Sequence, residues 1–317
     1  MKFHAKSLIQ RLVAKLPDWW ANEVYYFMQR RWGRLQKIDP LPYLRQSLRL
    51  VCLSQDYWPA EGPKIIEVGT GRTLNIPFGL WLAGAGSITT FDLNCYLRPE
   101  LIAESLSGMR QHEEAIRDMF VQSEVAMRQD RFASLLACRT AAEALNLTGI
   151  NYVSPADATC TKLQAESADL HVSVNTLEHV PVPVLAGLLR EASRVLRKNG
   201  RAVHLVDPSD HFAHTDSELN LINFLRYSSH DWGRIAGNQF MYQNRLRASD
   251  YLEALRNSGF HIDSIEAVTD QRSLDELAAG FPVHPDFNSY APQDLATVQF
   301  AFSAHATSPI KSLPHNL

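Results

Sequence analysis

The 317-residue chain predicts an α/β fold, a mostly parallel sheet sandwiched by helices. Three observations carry that expectation. Between Ile65 and Asn94 an apolar strand segment, a glycine turn, a helical stretch and a second strand ending in an acid follow one another. Beyond residue 150, apolar runs of strand length alternate with stretches of helical spacing, the pattern of βαβ units. The chain is 45% hydrophobic, enough to fill the core such a sheet requires.

The first unit reads Ile65-Ile-Glu67-Val-Gly69-Thr70-Gly71-Arg-Thr73. Glycines at 69 and 71 let the backbone turn sharply and come close to a ligand, which a Cβ would block. The helix that follows points its N-terminus at that ligand and favours an anion there. The strand from Ser87 ends at Asp92-Leu93, and an acid at this place accepts hydrogen bonds from ribose hydroxyls. The unit therefore predicts a pocket for an adenosine-containing cofactor. A dinucleotide fingerprint needs a third glycine at the sixth position, which counted from Gly69 is Leu74, so the NAD pattern fails. Asn151 to Val153 reads as the next strand, before Pro155-Ala-Asp157-Ala158. Another strand runs from Ser167 into Asn175-Thr-Leu-Glu-His179-Val. Leu188, Leu189, Ala192, Val195 and Leu196 share one helical face, and Lys198-Asn199-Gly200 reads as that helix's C-cap. Arg201 to Val206, His261 to Val268 and Leu295 to Ala304 complete the strands.

Glu67-x-Gly69-x-Gly71 with Asp92 resembles the first two motifs of class I S-adenosylmethionine-dependent methyltransferases. Asp157 and the Leu-Glu-His turn follow in that family's order, over roughly residues 60 to 305. The helical lid and this turn look most like the bacterial small-molecule, type-11 group. The resemblance implies a Rossmann-like seven-stranded sheet and S-adenosylmethionine as cofactor. It implies cofactor contacts from Glu67, Gly69, Thr70, Gly71, Asp92, Leu93, Asp157, Ala158 and Asn175. Within these, Asp157 would meet the adenine amino group and Glu67 the methionine amino group. Thr73 departs from the small residue common in the loop.

Methyl transfer to a hydroxyl also needs a base within hydrogen-bond reach. His211 is the first candidate, with Asp207 or Asp210 to orient its ring, and His179 the second; each has an ordinary structural alternative. Asp207, Tyr242, Asn244 and Arg245 are candidates for the substrate pocket, Arg245 suiting a carboxylate or phosphate. Tyr242, Asn244 and Arg245 read equally well as a polar cluster tying a lid to the following helix. Asp210, His211 and His214 lack the register of a helical metal site, and no metal is expected. A sugar, lipid head group or secondary metabolite would suit as acceptor, with O-methylation the commoner reaction in the group. An NAD-linked oxidoreductase and a non-catalytic scaffold are the alternatives.

Other classes are set aside. No Asn/Asp-Pro-Pro-Tyr/Phe tetrad and no Pro-Cys nucleophile occurs, and basic residues do not cluster in the catalytic half, so nucleic acid is not expected. The four cysteines form no C-x-x-C pair, which fits a reducing cytoplasm. Neither a membrane span nor a signal peptide is expected.

Residues 1–58 read as a helical N-terminal extension, 59–305 as the methyltransferase domain and 306–317 as a flexible tail. Insertions at about 97–148 and 210–247 read as helical caps, the first alternatively as a homodimer contact. Residues 1 to 50 hold ten Lys/Arg against three Asp/Glu, a net +7, which leaves −10 for the remainder. They also hold Trp19, Trp20, Tyr25, Tyr26, Phe27 and Trp32, and an apolar stripe of Leu8, Ile9, Leu12, Val13 and Leu16. Such helices either cover the active site or lie peripherally on an anionic membrane.

Overall fold

The structure, a computed structural model, describes residues 3–33 and 35–307. The expected tail lies almost wholly outside them. Seven strands form one sheet in the order β3-β2-β1-β4-β5-β7-β6. They are β1 Lys64–Val68, β2 Ser87–Phe91, β3 Asn151–Val153, β4 Ala168–Val174, β5 Leu196–Val206, β6 Phe260–Thr269 and β7 Thr297–Ala306. β7 runs antiparallel to both its neighbours and the pairs from β3 to β5 are parallel. This is the Rossmann-like sheet expected from the sequence. The chain crosses over between β1 and β4, so the crevice at their carboxyl ends is where a ligand binds in such a sheet.

The N-terminal helices are α1 Phe3–Val13, α2 Asp18–Trp32 and α3 Leu41–Cys52. They differ in kind. α3 buries Leu44, Leu48, Leu50 and Val51 in the main core, against α4, Asn75–Leu82, whose residues are all buried. It therefore packs in the same core as the helices that flank the sheet. α1 buries Phe3 and Val13 but leaves Leu8 and Leu12 each 55% exposed. Its leucine stripe, with Leu16 beyond the helix, thus faces out, and Trp19, Trp20, Phe27 and Trp32 are exposed as well.

The first insertion forms four helices, α5 Pro99–Gln111, α6 Glu113–Gln122, α7 Gln129–Ala137 and α8 Ala141–Thr148. They join the core built on α3 and α4 through Leu106, Ile116, Phe120, Phe132 and Leu135. The insertion thickens one face of the sheet instead of capping the crevice. α9, Val182–Val195, lies on the other face with α11, Ala248–Asn257, over Phe300 and Phe302 of β7. The expected C-cap at Lys198–Gly200 is not formed. Pairing of Ala168 with Leu196 draws the chain into β5 straight after Val195, and residues 197–200 bulge before Arg201 pairs with Leu170. Sheet pairing here overrides the glycine signal. The second insertion contains α10, Ser229–Ala236, and packs Phe212, Phe224 and Trp232 on Phe3 of α1. α12, Gln271–Ala278, follows β6.

Candidate active site

A cavity of about 700 Å³ opens at the carboxyl ends of β1, β2 and β4, a volume that suits a nucleoside-sized ligand with room for a small second one. At one end the glycine loop turns with Gly69 at φ 89° and Gly71 at φ 69°. A Cβ on Gly71 would meet nothing within 4 Å, so this backbone faces open space. The Gly71 amide donates to Oδ2 of Asp92 at 2.8 Å, and the Asn94 amide to Oδ1 at 2.9 Å. Burial raises the pKa of Asp92 while those two amides pull it back down. The carboxylate is thus fixed at the cavity wall with lone pairs to spare for hydroxyl donors.

Leu93, Asp157, Ala158 and Asn175 also line the cavity. Asp157 Oδ1 accepts from the Thr159 amide at 2.8 Å, and Asn175 holds φ 48° at the end of β4. Glu67 and Thr70, expected at the cofactor, are not on the wall. Glu67 sits opposite Thr90 in the β1–β2 register and accepts its hydroxyl at 2.5 Å. Thr70 and Thr90 share a further bond of 2.5 Å, so the pair closes a chain beneath the glycine loop. Burial pushes Glu67 up to about 7.

The other end of the cavity is built on the Leu177–Glu178–His179 turn. Asn244 clamps it: Nδ2 donates to Leu177 O at 2.8 Å and Val180 O at 3.0 Å, and its amide donates to Glu178 O at 2.9 Å. His179 opens onto the cavity yet is closely surrounded, and burial lowers its pKa. Its Nδ1 meets Tyr242 O at 2.7 Å. The His211 ring stands 5.0 Å from His179 and 5.1 Å from His214. Asp207 faces both neighbours in the loop, Oδ2 lying 3.8 Å from His211 Nε2 and 3.6 Å from His214 Nε2.

Four expectations are corrected here: Asp207 and His211 stand behind His179 and are not on the cavity wall, and Asp210 and Arg245 serve elsewhere. Asp210 does not orient His211. It is fully buried, its carboxylate accepts from Phe212 N and Asn223 Nδ2, and burial pushes it up to about 6. Arg245 does not reach the cavity: it donates to Tyr227 O and Ser229 Oγ and stacks 5.0 Å from the Phe287 ring centre. For Asn244 and Arg245 the structural alternative holds, while Tyr242 lines the cavity.

Four contributors were not singled out from the sequence. Tyr25 of α2 lines the cavity and stacks on Phe240 at 4.2 Å, so α2 and residues 239–242 close it together. Tyr96 and Arg72 complete the wall, the Arg72 guanidinium 4.7 Å from the Tyr96 ring centre. Arg72 makes no ion pair among the described residues, although burial lowers its pKa. The one sequence signal was an arginine inside the glycine loop, where an anion is expected.

The cradle fits S-adenosylmethionine: an open glycine backbone, an acid fixed for ribose, and a cation on the same wall for a carboxylate. Residues 124–204 match the family described as a methyltransferase domain. This match lies within the sheet order and crevice described above, where such a domain would hold its cofactor. No curated protein matches the chain in sequence. Among solved structures it is similar to a putative methyltransferase from Bacillus halodurans, at 15% identity over 80% of this chain and 95% of that one, TM-score 0.40. Another is geranyl diphosphate C-methyltransferase from Streptomyces coelicolor in complex with Mg2+, geranyl diphosphate and S-adenosyl-L-homocysteine, at 13% identity, 82% and 79% coverage and TM-score 0.46. A third is an S-adenosylmethionine-dependent methyltransferase from Mesorhizobium loti, at 16% identity, 79% and 94% coverage and TM-score 0.40.

Proposed function

We propose that the chain methylates a hydroxyl of a small-molecule acceptor. The observation that carries this reading is a cavity with a nucleoside cradle at one end and His179, backed by His211 and Asp207, at the other. Asp92 would hold the ribose, Asp157 and Leu93 the adenine, and Arg72 the methionine carboxylate. Bound S-adenosylmethionine supplies an activated methyl on a sulfonium. The protein's task is to align the acceptor with it, which positioning makes worth several kcal/mol, and to take the acceptor's proton. His211 beside Asp207 is the base we favour, with His179 on the wall to orient the hydroxyl. Asp210 supports this end only by anchoring the loop.

Isothermal calorimetry tests the cofactor reading and turnover tests the base. Asp92→Ala should abolish S-adenosylmethionine binding, and a wild-type chain without affinity for it or for S-adenosylhomocysteine sinks the proposal. His211→Ala should lower turnover at least 100-fold at unchanged cofactor affinity; unchanged turnover removes His211 as base. The NAD-linked alternative gains nothing, since Leu74 stands fully buried before α4 where a glycine would be needed.

A second reading concerns location. We propose that α1 and α2 rest on an anionic membrane from the cytoplasmic side. The exposure of Leu8, Leu12, Trp19, Trp20, Phe27 and Trp32 among basic residues favours it. No helix among the described residues is long and apolar enough to cross a membrane, and the four cysteines are free, as a reducing compartment keeps them.

A further inference from the structure

We propose that Glu178, His179 and His211 form a binding site for one divalent transition-metal ion at the acceptor end of the cavity. Two of them come from the turn after β4 and the third from the loop after β5, so neighbouring parallel strands bring them together. One donor atom from each lies within 4.8 Å of the other two. An ion holding nitrogen and oxygen at about 2.1 Å keeps its ligands roughly 3–4 Å apart, so a side-chain shift of about 1 Å closes the set.

Glu178 carries the argument. It is fully buried, and no side chain donates to either carboxylate oxygen; only the Glu178 and Asp207 backbone amides approach it. The charged group acting on it is Asp207, another acid, so no cationic side chain offsets it. A buried carboxylate with no cationic partner is costly, and either a proton or a cation relieves it. The neighbours decide between the two. The Asn244 clamp fixes the turn's backbone, so Glu178 is held rigidly beside two imidazoles. A proton needs no such company.

His179 is prepared as a ligand. Nδ1 donates to Tyr242 O, which fixes the tautomer and leaves the Nε2 lone pair outward. A metal-bound histidine almost always donates its second nitrogen to a carbonyl or carboxylate in this way. Asp207, 3.8 Å from His211 Nε2, is placed to orient that ring or to join as a fourth ligand.

Two imidazoles with one carboxylate suit Zn2+, Mn2+, Fe2+ or Co2+ and not Mg2+ or Ca2+, which prefer all-oxygen sets. Three protein ligands leave positions open, and His179 stands on the cavity wall, so an acceptor oxygen has access. The ion would orient and polarise that oxygen. With His211 on the ion, the Asp207 carboxylate beside it would take the acceptor's proton in its stead, and the cofactor end is untouched.

The test is a titration of the tag-free, chelator-stripped full chain with Co2+, without cofactor or acceptor, read by calorimetry and visible absorption. We expect one Co2+ per chain with the ligand-field bands of a nitrogen-coordinated ion. Glu178→Gln and His211→Ala should each weaken binding at least 10-fold. S-adenosylmethionine affinity, measured separately, reports that each variant is folded and tests the methyltransferase reading independently. Should Glu178→Gln not fold, His211→Ala alone decides, since that side chain is partly exposed. Absence of stoichiometric Co2+ and Zn2+ binding by the wild type, or binding by a folded Glu178→Gln or His211→Ala equal to it, overturns the proposal.

Discussion

Gly69 and Gly71 look alike in the sequence and carry different burdens in the fold. Both have positive φ, which costs a residue with a Cβ about 1–2 kcal/mol. At Gly69 a Cβ would also fall 2.2 Å from Thr176 Oγ1, and the whole Thr176 side chain stands in the way. Gly69→Ala should therefore destabilise the protein by about 3 kcal/mol or more, as strain and overpacking add. Gly71→Ala meets no protein atom and should cost only the conformational part, with its larger effect on cofactor affinity. Urea unfolding and calorimetry on both variants separate the two; equal stability losses would refute the distinction. The sequence showed that glycine was needed at these positions. Thr176, 107 residues from Gly69, lies in another βα turn and only the assembled sheet brings it close.

Asn244 shows what one side chain does for an element. Besides its bonds to Leu177 and Val180, its Oδ1 accepts from Leu246 N and Tyr251 OH. Asn244→Ala should cost about 2–4 kcal/mol, since several buried groups lose partners at once. It should also lower turnover without changing cofactor affinity, because the turn that carries His179 loses its clamp. A variant with wild-type stability would show that the clamp is dispensable. In the sheet, His171 of β4 and His204 of β5 are both fully buried, their nitrogens 3.3 Å apart. Burial lowers His171 from 6.5 to about 4 and His204 well below its usual value. The fold favours neutral rings, whereas the unfolded chain takes up protons as pH falls below about 6.5. The stabilisation by the pair is therefore full above that pH and is lost as pH falls toward 4. Wild type should lose more stability than His204→Gln between pH 7 and 5, measured by urea unfolding at each pH. Glu67 and Asp210, raised by burial, act in the opposite sense but are common to both proteins. Equal losses would exclude the pair as the cause.

At the scale of the whole molecule, α2 faces two ways. Tyr25 closes the cavity while Trp19, Trp20 and Phe27 point to solvent. Residues 1–50 carry a net +7 in sequence against −10 for the remainder. If this surface sits on lipid, the lid and the membrane contact are the same element, and a lipophilic acceptor has a short path to the cavity. Trp19→Ser with Trp20→Ser should cut sedimentation with vesicles containing anionic lipid at least 10-fold, and salt should weaken binding of the wild type. Wild type that stays in the supernatant at low salt would exclude the membrane reading. Deleting residues 1–50 is a poorer experiment, because α3 would be cut and the core opened.

The sequence alone determined the strands, their succession along the chain and the glycine cradle, because strand periodicity, glycine turns and an acid at a strand end are local signals. It also brought His179, His211 and Asp207 into view as candidates. It did not separate Asp207 from Asp210, nor reveal that Arg245 is spent on backbone carbonyls, since which way a loop side chain turns depends on what packs behind it. Glu67 looked cofactor-facing for the same reason: its partner Thr90 is 23 residues away on the next strand. Tyr25, Arg72 and the meeting of Glu178 with two histidines were decided only by tertiary structure, where the sheet crossover and the closing of α2 bring distant residues to one cavity.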